Sequence, residues 1–220
     1  MKFSVLILLF LTASVTIYAQ DNSTGEREAY LKTITQRADK IVANLDLAAA
    51  AKKEKVRNII RDQYDHLNDI YTARDLETAK LKEKYQDKKE REAALTQQNT
   101  EVMASLAKLH VKYLKTLGKL LTETKVEQVK DAMTYNVLPI TYKAYQEQIL
   151  TLTDVQKKQI LTWLTEAREF AMDAESSDKK HAWFGKYKGR INNYLSAAGY
   201  DLKKEGVEWE KRRKAASKAE

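Results

Sequence analysis

The chain has 220 residues, 43% of them hydrophobic, with one proline, no cysteine and a formal net charge of +8. That length supports one domain or two small ones around a real core, and the lack of cysteine excludes disulfide staples, thiolate metal ligands and a cysteine nucleophile. The charge is uneven, with 12 Lys/Arg against 6 Asp/Glu over residues 176–220 and 26 against 25 over residues 20–175, so an anion would be drawn to the C-terminal end.

Met1-Lys2 opens the chain with positive charge, Phe3 to Ile17 is almost wholly apolar, and Tyr18-Ala19-Gln20 leads into the polar Asp21-Asn22-Ser23-Thr24. This order predicts a secretory leader over 1–19, cut after Ala19. Its apolar run is too short for a membrane span. With no cysteine beside the cut, a lipid anchor is excluded. The expected mature protein is soluble, in the periplasm or outside the cell, with no integral membrane segment. Export also makes nucleic acid an unsuitable partner for the basic end, whereas an acidic polysaccharide or an anionic membrane surface fits.

Between Glu26 and Leu117 there is no proline and no glycine. Abundant Ala, Lys, Glu, Gln and Leu there favour long helices. Tyr30, Leu31, Ile34, Ala38, Ile41, Val42 and Leu45 mark the apolar face of a first helix. Val56, Ile59, Ile60, Tyr64, Leu67, Ile70 and Tyr71 mark a second, and Val102, Leu106, Leu109, Tyr113, Leu117 and Leu120 a third. Arg74 to Glu92 is mostly charged and is expected to prolong the second helix into solvent, with Asp87 and Arg91 paired at i,i+4. The chain is expected to reverse near Thr96-Gln97-Gln98-Asn99. Asp62, Asp65, His66 and Asp69 fall on one helical face, which reads as solvated.

The C-terminal half differs in texture. Pro139 suits the first turn of a helix. Thr153-Asp-Val-Gln156 has capping-box spacing and opens a helix bearing Ile160, Trp163, Leu164, Ala167, Phe170 and Ala171. A further helix over 178–198 stops at Gly199, and the tail 203–220 reads as a short docked helix. The sequence therefore predicts an all-α protein. A long antiparallel hairpin over about 26–118 precedes an aromatic-rich bundle over about 121–202, the two forming one domain over 20–202.

Chemistry concentrates in the last third, where 11 of the 16 aromatics beyond residue 19 lie between Tyr135 and Trp209. Trp183, Tyr187, Ile191 and Leu195 share a helical face that reads as core. Beside it run Gly185, Gly189, Asn192, Asn193 and Ser196. Two glycines inside a soluble helix cost about 1 kcal/mol each relative to alanine, so something should approach the backbone there: a packed neighbouring helix, or a ligand. In the second case Asn192 and Asn193 offer donors and acceptors, and Lys186, Lys188 and Arg190 offer charge. Lys130 to Tyr142 bridges two helices through a turn that could present Tyr135. The candidate ligand-binding residues are thus Tyr135, Gly185, Lys186, Lys188, Gly189, Arg190, Asn192 and Asn193. Aromatic faces beside amides and cations suit a sugar. No metal-ligand spacing links His66, His110 and His181, and neither a Gly-rich phosphate loop nor a G-x-S-x-G is present. No cofactor, metal or catalytic residue is therefore assigned.

Val126-Glu-Gln-Val-Lys-Asp131 with Met133-Thr134-Tyr135, Leu164-Thr-Glu-Ala-Arg-Glu-Phe-Ala-Met-Asp173 and Lys180 to Asp201 together resemble the family called domain of unknown function 3826. It comprises secreted Bacteroidota proteins for which sugar binding has been suggested. The resemblance implies a place in polysaccharide utilisation, pectin included, and implies no catalytic residues. Ala132 stands where the family pattern carries glycine. A five-residue likeness, Leu152-Thr153-Asp-Val-Gln156, resembles the Leu-Thr-x-x-Gln motif of Spy-type periplasmic chaperones. The expected function is an exported, non-catalytic carbohydrate-binding or accessory protein. A helical holdase chaperone and a polysaccharide lyase or hydrolase stand as alternatives, and the oligomeric state is left open.

Overall fold

A computed structural model describes residues 14–217, with side chains from residue 25 onward. The apolar run of the expected leader and its cleavage site lie outside the residues whose side chains are described. Eight helices and no strand occupy the described residues. Helix α1 spans Ser14–Ala43, α2 Ala50–Lys84 and α3 Lys88–Gly118. They pack in antiparallel succession, α1 on α2 and α2 on α3. Ile34, Ala38, Ile41 and Val42 are buried on one stripe of α1, and Val56, Ile60 and Leu67 on the facing stripe of α2, as period 3.6 requires. Leu45 and Leu47 lie beyond the end of α1 in the connecting loop but are still buried. They plug that end of the core while Lys125 Nζ ties the loop at Asp46 O, 2.6 Å away.

The reversal between α2 and α3 falls at Tyr85–Asp87 rather than at the expected Thr96–Asn99, which lies inside α3. Asp87 does not pair with Arg91 as expected but caps α3, its carboxylate accepting from the Glu90 amide at 2.9 Å. Arg91 reaches back to the carbonyls of Tyr85 and Gln86, both at 3.2 Å. One Asp and one Arg thus satisfy backbone groups on both sides of the tip, and the bend requires no glycine or proline.

Helix α4 (Glu123–Met133) and α5 (Val137–Gln148) follow, then α6 (Asp154–Met172), α7 (Ser177–Ala197) and α8 (Leu202–Ala216). The predicted devices operate here. Pro139 sits in the first turn of α5. The Thr153 hydroxyl accepts from the Gln156 amide at 3.3 Å while Gln156 Oε1 accepts from the Thr153 amide at 2.9 Å. Gly199, at φ +93°, closes α7 with Tyr200 N donating to Leu195 O and Gly199 N to Ser196 O, the paired bonds of a Schellman end. Ala132 is helical, so the turn after α4 needs no glycine there. Helix α8 lies against α5, with Arg212 donating to the carbonyls of Glu147 and Gln148.

Two cores result. One gathers α1, α2, α3 and α4 around Ile60, Leu117, Val129 and Met133. The other gathers α5, α6 and α7 around Ile160, Leu164, Phe184, Ile191 and Leu195. Helix α6 joins them, since Met172 at its end belongs to the first core. No helix among the described residues is long and apolar enough to cross a membrane.

Candidate functional site

Where the two cores meet, α4 and α6 share a buried ionic network. Arg168 falls on the same helical face as Leu164, Ala167 and Ala171, and is only 2% exposed. Its guanidinium donates to Asp131 at 2.7 Å, to Glu169 at 3.1 Å and to Glu127. Lys130 Nζ bridges Glu127 and Glu169 at 2.7 and 2.8 Å. His110 of α3 completes the set, 2.7 Å from Asp173 and 3.4 Å from Glu169. The hydrogen bonds to Asp173 and Glu169 raise His110 to about 9, so the ring is charged at neutral pH. Burial opposes ionisation of Glu169, but hydrogen bonds from His110 and Lys130 prevail and lower it to about 2. Three cations thus interleave with four carboxylates, so that each charge of the network has a partner, as buried ions require.

This network positions a turn. Asp131, held by Arg168, also offers its carbonyl to the Asn136 amide at 2.8 Å. Thr134, fully buried, returns its hydroxyl to Lys130 O at 2.9 Å. Tyr135 and Asn136 take consecutive left-handed conformations, φ 58° and 55°, which cost on the order of 1 kcal/mol each for non-glycine residues. The strained turn leaves Tyr135 48% exposed, its ring stacked on His181 at 5.4 Å and 11°.

Tyr135 faces a cavity of about 610 Å³, within the range of small-molecule sites. Helix α1 supplies Tyr30, Arg37 and Lys40, α2 supplies Tyr64, Asn68 and Tyr71, the α6–α7 connection supplies Glu175 and the start of α7 supplies Ser177, with Lys180 behind. Three of its four tyrosines come from the N-terminal helices. Tyr30 Oη donates to Tyr64 O at 3.0 Å and Tyr71 Oη to Asp173 O at 2.7 Å, so both rings are fixed. Burial raises Tyr64 and Tyr71 to about 12, and both remain neutral phenols. The lining carboxylates, Asp75 and Glu175, are both committed to Arg74 at 2.6 Å. Among the described residues Arg37, Lys40 and Lys180 make no ion pair. Lys180 Nζ donates to Ala171 O and Met172 O, capping α6, and burial lowers it to about 8. The cavity thus pairs ring faces with an excess of positive charge.

The remaining sequence-predicted residues lie elsewhere. Gly185, Lys186, Lys188, Gly189, Arg190, Asn192 and Asn193 are exposed on α7 and do not line this cavity. Nothing among the described residues lies within 4 Å of where a Cβ would stand on Gly185 or Gly189, so no helix packs over the strip. Lys186 lies over the Trp183 ring at 5.1 Å, Arg190 over Tyr187 at 4.8 Å, and Asn192 accepts from Tyr145 Oη at 2.7 Å. Only Tyr135 of the predicted set joins the cavity. The residues that sequence reasoning missed there, Tyr30, Arg37, Tyr64 and Tyr71, form two i,i+7 pairs, each on one helical face.

The sequence profile of the family described as protein of unknown function (DUF3826) matches residues 31–215. The chain belongs to that family. The matched region takes in α2 to α7 whole, nearly all of α8 and the C-terminal part of α1. It includes the whole ionic network and both Arg37 and Tyr135. None of the curated proteins matches the chain.

Proposed function

We propose that the protein is an exported, non-catalytic carbohydrate-binding protein whose cavity between α1, α2 and the α4–α5 turn holds an acidic sugar unit, such as a pectic uronate. One observation carries the reading: among the described residues Arg37, Lys40 and Lys180 have no carboxylate partner, while four tyrosines share the same cavity. The apolar C–H face of a pyranose stacks on a ring, its hydroxyls take amides and hydroxyls such as Asn68 and Ser177, and a carboxylate takes the guanidinium fork. The basic charge of the chain agrees with this class of ligand. The exposed α7 strip, with Lys186, Lys188 and Arg190, would extend the positive field outside the cavity and favour approach of a polyanion.

Isothermal titration of oligogalacturonate against a neutral oligosaccharide of equal length tests it. Saturable heat is expected with the acidic ligand only, weakening with added salt because exposed charges are screened. Arg37→Ala with Lys40→Ala is expected to weaken binding at least tenfold at an unchanged melting temperature. Equal heats for both sugars, or none from folded protein, would refute the acidic-sugar reading. New reducing ends from the oligosaccharide would move the protein to the lyase or hydrolase class.

A further inference from the structure

A second cavity, of about 590 Å³, lies between α3 on one side and α6 and α7 on the other. Helix α3 packs against α2 and α4, which leaves space in front of Val102, Met103, Leu106 and Val111. Across it stand Phe170 and Trp183, stacked at 4.5 Å and 16°. Phe170, one of the apolar residues of α6, is 42% exposed, with Met103 at 46% and Val111 at 65%. Apolar side chains from three helices therefore converge on a space that no part of the described chain fills.

The charges around this cavity are disposed unlike those of the first. His110 is held between Asp173 and Glu169, and Arg74 is held by Asp75 and Glu175. A charged ligand would find almost no free counter-charge, Lys179 being the exception at the side of α7. An apolar ring would instead displace water from aliphatic and aromatic walls, and the Met103 thioether can rest against its edge. Asn99, at the same wall, makes no side-chain hydrogen bond among the described residues, so its amide is free for one hydroxyl or carbonyl. The volume lies within the range of small-molecule sites.

We infer that this α3–α6–α7 cavity is a binding site for a small neutral aromatic compound with a single polar substituent. It is separate from the carbohydrate site, although Tyr71, Ala174 and Glu175 border both. The inference does not depend on what the first cavity holds.

The test is a fluorescence titration of the full chain with N-phenyl-1-naphthylamine, a neutral probe that brightens in apolar surroundings. Saturable brightening at about one site per chain is expected, with Trp183 emission falling in step. Met103→Glu, at an exposed position that should not disturb folding, is expected to weaken the probe at least tenfold, and Met103→Leu to keep it within about threefold. The paired substitution Arg37→Ala and Lys40→Ala should leave the probe unaffected, which separates failure of this site from failure of the carbohydrate site. Absence of saturation, several equivalent weak sites, or Met103→Glu binding like the unaltered protein would overturn the assignment. Two other results would also overturn it: displacement of the probe by stoichiometric unfolded polypeptide, as a chaperone groove would give, or its exclusion by self-association of the chain.

Discussion

Raising the pH from 5 to 8 should destabilise this protein through a single ring, His110. Its hydrogen bonds to Asp173 and Glu169 raise it to about 9 from an ordinary 6.5. A group whose folded value is raised contributes its full stability below the unfolded value and loses it as the pH climbs through the folded one. The window therefore runs from about 6.5 to about 9. A rise of that size corresponds to about 3 kcal/mol at full strength. The side chain of His110 keeps 19% of its surface exposed, and water screens part of the interaction, which reduces the figure to about 1.5 kcal/mol. More than half of that, about 1 kcal/mol, should be gone by pH 8. In a chain of this length it corresponds to a fall of about 2–4 °C in melting temperature. Lys180 works in the opposite sense. Burial lowers it to about 8, so its neutral form is favoured in the folded state and stability is regained as the pH rises above that value. The clean range for His110 is thus pH 5 to 8. Thermal melts followed by circular dichroism would measure it. His110→Gln should melt lower at pH 5.5 and lose most of the slope between pH 5 and 8. An equal slope in the variant would refute the reasoning, because the proton would then belong to another group.

Arg168→Ala strips three carboxylates of their common partner, leaving Glu127 with Lys130 alone and Asp131 without a charge partner among the described residues. A loss of about 3 kcal/mol is expected in urea unfolding, and a loss below 1 kcal/mol would mean that the network is not structural. Gly199→Ala forces a side chain onto φ +93°, and should cost about 1 kcal/mol in the same assay, whereas Gly185→Ala, with open space above it, should stabilise α7 by about 0.5–1 kcal/mol. Tyr135→Ala should weaken oligogalacturonate binding severalfold in calorimetry, since it removes the exposed ring at the cavity edge; an unchanged affinity would place the sugar elsewhere.

What could be read from the residues was local. The Thr153 capping box, Pro139 in the first turn of α5 and Gly199 at the end of α7 are each specified by two to five neighbouring residues. The hairpin tip was also written locally, in Asp87-Lys-Lys-Glu90, but the same letters offer an Asp87–Arg91 pair within an unbroken helix. With no glycine or proline at Tyr85–Asp87, only the folded chain decides between them. Arg168 shows a different limit. Its position among Leu164, Ala167 and Ala171 places it in the interior, but its partners Asp131 and Glu127 come from a helix about forty positions away, where pairing has no sequence period.

The cavity was hidden for a related reason. Its rings come from Tyr30, Tyr64, Tyr71 and Tyr135 and its cations from Arg37, Lys40 and Lys180, positions spread over most of the chain. Aromatics are richest beyond Tyr135, but Phe184, Tyr187 and Trp183 serve mainly the second core. The sparse tyrosines of α1 and α2 are the ones that meet open space. Composition locates where a residue type is abundant, and burial decides where it remains available.

The cavity and the α7 strip can be told apart by one titration: oligogalacturonate added to isotopically labelled protein, followed through backbone amide resonances. Shifts gathered on Tyr30, Arg37, Tyr64, Asn68 and Tyr135 are the expected result. Shifts confined to the stretch from Gly185 to Asn193, or none at all at saturating sugar, would contradict it.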